Sequence, residues 1–292
     1  MTTLLHISDL HYERAPERLS VGVGERLRRA RTALRSRTFD LLAVSGDLTS
    51  YGTWDVRELV EARRWLEGFE RRMLVVPGNH DLGANPERAE RFPVFERYEP
   101  VPWSRTNFGM TFGEGPLVAR ATGDLLVVGV GLRRGDPDGA LALLERALAG
   151  ATTPVVVVGH YPIVPVRESG VLASFGAMGY VDGEVAELHR LMVQSTRVVA
   201  YLCGHVHAAS AAVLEGGVLQ LSAGALGPGP ALGWLVHVER DEVRFEQVEA
   251  PGRTTFWPSD QLGGVDPVAY HAGAVRSGVV PLGRTGRPTL VD

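Results

Sequence analysis

Short apolar runs of strand length trade places with stretches of helical period along most of the chain. Residues 3–8 read as a strand. Residues 25–36 read as a helix with Leu27 and Leu34 on one side and Arg on the other. Residues 40–45 form a second strand, 54–69 a helix with Val56, Leu59, Val60, Trp65 and Leu66 at helical spacing, and 72–76 a strand stopped by Pro77-Gly78. This β-α-β-α-β order predicts parallel strands joined by right-handed crossovers. Residues 82–115 are less regular, with one short helix expected at 87–98. Strands at 117–121 and 125–130 flank a Gly123-Asp124 turn, and a helix at 138–149 takes Asp136 or Asp138 as its cap. A strand at 154–158, a Gly-, Pro- and Ser-rich loop at 161–180, a helix at 182–194 capped by Asp182, and a strand at 196–203 follow. The pattern then turns antiparallel: 210–214 and 218–222 flank Glu215-Gly216-Gly217, a hairpin signal, and 235–239 and 242–248 flank a turn around Asp241.

Beyond Pro251 the periodicity fades, and no internal repeat is present. The expected organisation is one α/β domain over residues 1–250, with two sheets face to face, followed by an arm or tail over 251–292. The apolar residues of that arm (Phe256, Trp257, Leu262, Val279, Val280) call for docking on something. The sheet, the pocket and a second copy of the chain in a homo-oligomer all stay open.

Five segments stand just after apolar runs: Asp9-Leu10-His11, Gly46-Asp47, Gly78-Asn79-His80-Asp81, Gly159-His160 and Gly204-His205-Val206-His207. They hold five of the nine histidines. Asp, Asn and neutral His are ligands for borderline divalent metals, and the carboxyl ends of α/β strands are where ligands bind. Asp9 and His11 are two apart, as are His205 and His207. In an extended segment each pair points to one side, with Leu10 and Val206 turned into the core. Asp47 is the natural bridge between two ions, because its segment offers no other ligand. Two ions would clamp the attacking and leaving oxygens of an in-line displacement at phosphorus and share a bridging hydroxide, while a further group protonates the leaving oxygen.

Composition narrows the setting. The 292 residues are 45% hydrophobic, which suits a globular core. No run approaches the roughly 20 apolar residues that span a bilayer, and no secretory signal is read at the N-terminus. A single cysteine, Cys203, excludes an internal disulfide and fits a reducing, cytoplasmic compartment. The net charge of −4 and the lack of a basic tail argue against broad nucleic-acid binding. All 30 basic side chains are Arg, so a cationic contact to phosphate would come from Arg. Arg133-Arg134, after a strand, are candidates for it, and Tyr12 and Asn107 are candidates for the pocket rim.

The five segments resemble, in order and spacing, the signature of the calcineurin-like metallophosphoesterase superfamily: D-x-H, G-D, G-N-H-D/E, G-H, G-H-x-H. The resemblance runs from Leu4 to His207, about two-thirds of the chain. It implies a four-layer αββα sandwich with two mixed β-sheets and a dinuclear site at the strand ends. It implies that Asp9, His11, Asp47 and His207 hold one metal and that Asp47, Asn79, His160 and His205 hold the second. His80 would contact the phosphate, beside Asn79, and protonate the leaving group, with Asp81 orienting it. The ions would be Mn, Fe, Co, Ni or Zn. His6-Ile7-Ser8-Asp9-Leu10-His11 with Ser45-Gly46-Asp47-Leu48-Thr49 and Gly52 is similar to class III cyclic-nucleotide phosphodiesterases. Gly159-His160-Tyr161-Pro162-Ile163 is also similar to purple acid phosphatases, but Ser50 stands where those carry an iron-binding Tyr. Lipid-A-type hydrolases carry His-Gly-Asp where this chain has His160-Tyr161-Pro162.

The expected activity is hydrolysis of a phosphodiester, a cyclic nucleotide or a similar small diester, by metal-bridging hydroxide. A phosphomonoesterase acting on nucleotides or phosphoproteins is the alternative, and a non-catalytic protein-binding scaffold of the same fold the distant one. His6 reads as a core residue behind the ligands, His189 as solvated, His237 and His271 as structural, and Cys203 as a small buried apolar group.

Overall fold

Leu4, Leu5, Leu41, Leu42, Ala43 and Val44 are all fully buried, so strands β1 (Thr2–Ile7) and β2 (Leu41–Ser45) are covered on both faces. That burial is why parallel strands read as unbroken apolar runs. The computed structural model describes residues 1–15, 17, 22–82, 101–166, 182–250, 266–282 and 288–291. Leu4 of β1 lies opposite Leu41 of β2, and Leu42 lies opposite Met73 of β3 (Met73–Val76), both pairings parallel. Helices α1 (Val23–Arg35) and α2 (Val56–Glu67) make the crossovers. α1 buries Val23, Leu27, Ala30 and Leu34, one stripe of a 3.6-residue period. The Asp55 carboxylate caps α2 by accepting the Arg57 N–H at 3.0 Å; Leu59, Ala62, Trp65 and Leu66 face inward, while Val56 in the first turn is exposed. Exposed Arg28 and Arg29 of α1 pair with Glu25, and Arg63 of α2 pairs with Glu67, as solvated faces do.

A single helical turn, α3 (Asn79–Leu82), follows β3. Helix α4 (Asn107–Phe112) was not expected; Thr106 Oγ1 caps it by accepting the Gly109 N–H at 2.9 Å, and Gly113 ends it at φ 71°. The second sheet is built from β4 (Leu117–Thr122), β5 (Leu125–Val130), β6 (Val155–Val158), β7 (Val198–Cys203), β8 (Ser210–Val213) and β9 (Leu219–Ser222). Its order is β4-β5-β6-β7-β9-β8, with β5, β6, β7 and β9 parallel and both edge strands antiparallel. Helices α5 (Ala140–Ala149) and α6 (Asp182–Gln194) lie on its outer face. Asp136 serves α5, accepting the N–H groups of Ala140 and Leu141, while Asp138 is tied to Arg133. The Asp182 side chain, the helix expected at 87–98 and most of the 161–180 loop lie outside the described residues.

The first sheet is completed from the other end of the chain. β10 (Leu232–Val238) pairs antiparallel with β1, β11 (Glu242–Glu249) with β10, β12 (Ser277–Pro281) with β11 and β13 (Thr289–Val291) with β12. The order is β13-β12-β11-β10-β1-β2-β3. The C-terminal arm thus contributes two strands and helix α7 (Pro267–Ala272); Phe256, Trp257 and Leu262 lie outside the described residues.

Three apolar clusters separate four layers. Leu4, Leu41, Leu74, Val156, Leu202 and Trp234 meet between the sheets. Leu5, Leu42, Leu27 and Trp65 join the first sheet to α1 and α2, and Val157, Tyr201, Leu144 and Leu188 join the second to α5 and α6. The architecture is the expected αββα sandwich. β2 packs on β6 and β3 on β5, so the carboxyl ends of parallel strands from both sheets open at one place.

Candidate metal centre

Three of the five motif segments leave their strands through left-handed reversals. Among the described residues seven non-glycine residues have positive φ, and five of them are candidate ligands: Asp9 (53°), His11 (43°), Asp47 (47°), His205 (71°) and His207 (57°). The Asp9/His11 and His205/His207 pairs therefore converge through left-handed turns, not by the strand alternation expected from their spacing. Asp and His tolerate this region better than β-branched residues, yet such conformations persist only when the surroundings hold them. Here the N–H of Asp9 donates to Gly46 O at 3.0 Å, that of His11 to Asp47 O at 3.0 Å, and that of His205 to the Asp9 carboxylate at 3.0 Å. Gly204 has no alternative in this packing: a Cβ there would collide with Ser8 Oγ and Asp9 Oδ2.

The reversals gather two groups of donors. Asp9, His11, Asp47 and His207 form one, and Asp47, His160 and His205 the other; all are buried. In the first, His11 Nε2 and His207 Nε2 are 3.0 Å apart, His207 Nε2 is 3.4 Å from Asp9 Oδ1, and His11 Nε2 is 3.6 Å from Asp47 Oδ2. In the second, His160 Nε2 is 3.4 Å from Asp47 Oδ2. Asn79 Oδ1 joins it, 3.1 Å from His160 Nε2 and 3.0 Å from His205 Nδ1. Asp47 Oδ2 is thus common to both groups.

These separations fit two cations. Ligands about 2.0–2.2 Å from a shared ion stand roughly 3.0–3.5 Å from one another. Two imidazole Nε2 atoms facing each other at 3.0 Å would set lone pair against lone pair unless a proton or a cation lay between them. The ionisation of the cluster agrees. Burial pushes the Asp47 carboxyl up, but the imidazoles of His160, His80 and His11 outweigh it and hold the group well below the usual carboxylate range. Burial disfavours a charged His160, yet Asp47 raises it to about 9; His205 is pushed well down by burial and by His160. Groups that bind or release protons so strongly because of one another are the groups whose protons a divalent cation displaces.

A second layer aims the donors. His160 Nδ1–H donates to Ser45 O at 2.7 Å, which leaves Nε2 for the cluster. Ser45 Oγ in turn bonds Nε2 of fully buried His6 at 2.8 Å, so His6 is a core residue behind the candidate ligands. The N–H of His80 donates to Asp47 Oδ1 at 2.9 Å, and its Nδ1–H donates to Ser50 O at 3.0 Å. This carbonyl holds the His80 ring at Nδ1. The Asp81 carboxylate accepts the N–H groups of Leu48 (2.9 Å), Thr49 (3.1 Å) and Gly78 (3.0 Å) and the Thr49 hydroxyl (3.0 Å). It staples the loop after β2 to the loop after β3. Burial and the nearby Asp47 raise its pKa to about 7.

Other expectations fare differently. Arg133 is bound bidentate to Asp138 at 2.6 Å and to Val101 O at 2.9 Å, so it is committed away from phosphate. Tyr12 donates its hydroxyl to Glu61 at 2.7 Å. Asn107 Nδ2 donates to Gly52 O and Thr53 O, and Thr53 donates twice to His80 O, so Asn107 acts on His80 through that turn. Cys203 is buried, and burial pushes its thiol far above the usual range. His237 is bonded to Thr3 Oγ1 at 3.0 Å, and His271 to His207 O at 2.8 Å. The His271 contact could not be anticipated, because no motif includes it.

Comparison with curated protein sequences gave no match. Among solved structures, a dimetal phosphatase from Danio rerio is similar at TM-score 0.59 and 12% identity, with 86% of this chain and 97% of that one covered. An uncharacterized Streptococcus pneumoniae protein described as a predicted phosphoesterase aligns at TM-score 0.42 and 12% identity, covering 96% and 97%. At such identity the first likeness speaks for the fold alone. The model of the calcineurin-like phosphoesterases matches residues 2–209, from the first strand past the last candidate ligand, and the chain belongs to that family.

Proposed function

We propose that this protein is a dinuclear metal-dependent phosphoesterase whose substrate is a small phosphodiester, a cyclic nucleotide or a similar diester. The observation that carries the reading is the sharing of Asp47 Oδ2 between two buried donor groups. Asp9, His11, Asp47 and His207 hold one cation in this reading, and Asp47, Asn79, His160 and His205 the other. Bound there, two divalent ions supply Lewis-acid charge and bring the pKa of a water toward neutrality. Mixed nitrogen and oxygen donors suit Mn, Fe, Co, Ni or Zn, and cellular supply selects among them. The single buried thiol is in keeping with a cytoplasmic setting.

The chain's own part is orientation and proton delivery. With Nδ1–H committed to Ser50 O, Nε2 is the His80 atom that carries a proton to the leaving oxygen. Asn79, one residue before it, faces the same phosphate. Asp81 keeps the loops of β2 and β3 in register, so that Asp47 and His80 stay in contact. The diester preference draws support from charge: Arg133 is spent on Asp138, and a diester monoanion asks for less positive charge than a monoester dianion. Rates of the Mn(II)-loaded protein on bis-(4-nitrophenyl) phosphate and 4-nitrophenyl phosphate test the reading. A higher kcat/KM on the diester is expected. A faster monoester reaction moves the substrate to phosphomonoesters, and no cleavage of either contradicts phosphoesterase activity itself.

A further inference from the structure

Helix α7 belongs to the C-terminal arm, far in sequence from every motif segment. His271, within it, is fully buried against the loop that carries His205 and His207. Its Nδ1 lies 2.8 Å from the His207 carbonyl oxygen. A carbonyl can only accept, so the proton is on Nδ1. The His271 carbonyl in turn accepts the Ala209 N–H at 2.7 Å. Two hydrogen bonds therefore span residues 207–209, one at each end.

The clamp is itself anchored. Asp266 caps α7 by accepting the Ala269 N–H at 2.9 Å. Gln247 of β11 donates from Nε2 to Ala272 O at 2.9 Å, and its N–H donates to Arg276 O at 2.7 Å. The loop needs such support, since His205 and His207 both sit at positive φ. His205 is held from its N–H by Asp9, and Ala208 O by the Ser222 hydroxyl at 3.0 Å. The carbonyl of His207 is held by His271.

We infer that His271 is a positioning residue for the cation group of Asp9, His11, Asp47 and His207, and that through it the C-terminal arm sets the direction of the His207 imidazole. The inference rests on the reading of His207 as a ligand. Its test is titration of metal-stripped full-length protein with Mn(II), followed by heat, and with Co(II), followed by visible absorption. His271→Leu keeps the bulk and loses the donor; one of the two cation affinities is expected to fall about tenfold, as when a ligand's supporting partner is removed. His271→Asn places an amide N–H where Nδ1 stands and is expected to keep both affinities and the Co(II) spectrum. Parallel titration of His207→Ala separates the two claims. If that variant retains both sites, the ligand reading fails. If it loses one site while His271→Leu binds as the parent does, the clamp is overturned. Equal losses in the Leu and Asn variants, or a uniform loss at both sites, also overturn it. Should His271→Leu not fold, His271→Ala set against His271→Asn gives the same comparison.

Discussion

A single oxygen, Asp47 Oδ2, lies within 3.6 Å of His11 Nε2 and 3.4 Å of His160 Nε2, so the two donor groups cannot be altered independently at that residue. Asp47→Ala should cost both cations, whereas His160→Ala should cost one; the metal-to-protein ratio after gel filtration checks this, and two retained ions in Asp47→Ala would refute the bridge. His80→Ala should keep both ions and lose turnover by about 10²–10⁴-fold, the usual share of a general acid. Unchanged turnover would remove His80 from proton delivery. The donors were legible in the sequence because their residue types are few and each stands after an apolar run. Their conformations were not: an i, i+2 spacing looks the same in a strand as in the left-handed turns that Asp9, His11, His205 and His207 adopt. Nor were the tasks of Asp81 and His271 legible, since both depend on backbone partners remote in sequence.

At the scale of elements, the site depends on how closely loops approach. Gly204→Ala would push a methyl group into Ser8 and Asp9, with an expected cost of about 1–3 kcal/mol in stability and weakened metal binding. Denaturant unfolding of the two proteins measures it, and an unchanged midpoint would contradict the close approach. Glu58 ties α2 to neighbouring loops, accepting the N–H groups of Tyr51 at 3.0 Å and Arg14 at 3.4 Å. Burial raises its carboxyl from 4.5 to about 7 despite those bonds. The folded state thus holds that proton more tightly than the unfolded chain. The contribution of Glu58 is most favourable below pH 4.5 and is lost as pH rises through 7. Glu58→Gln should therefore gain Tm relative to the parent across that window and hold a constant difference above it; a pH-independent offset would contradict the shift. Most strands and long helices could be read from periodicity. Helix α4 was missed because its six residues are too short for a periodic signal; Thr106 before it and Gly113 after it are the only marks it leaves. β12 reads Ser-Gly-Val-Val-Pro, with only two adjacent apolar residues before a proline, and β13 has three exposed residues, so neither carries an apolar run of strand length.

For the whole molecule, two sheets and three apolar layers exist to bring the ends of β1, β2, β3, β6 and β7 to one mouth. Periodicity alone predicts two sheets, but their assembly from both ends of the chain, with β10 beside β1 in the middle of the first sheet, depends on pairings across more than two hundred residues. Cations that bind only the folded assembly must also stabilise it. Stripping them should lower Tm and excess Mn(II) should raise it in a concentration-dependent way, by about 2.7 kcal/mol at a hundredfold excess over Kd. A Tm indifferent to both would mean that folding and metal binding are not linked. The gathering of two cations is examined most directly by anomalous scattering from crystals soaked in Mn(II). Two peaks flanking Asp47 Oδ2 are predicted, one beside His11 and His207 and the other beside His160 and His205; a cleft without peaks, or peaks away from Asp47, would contradict the account.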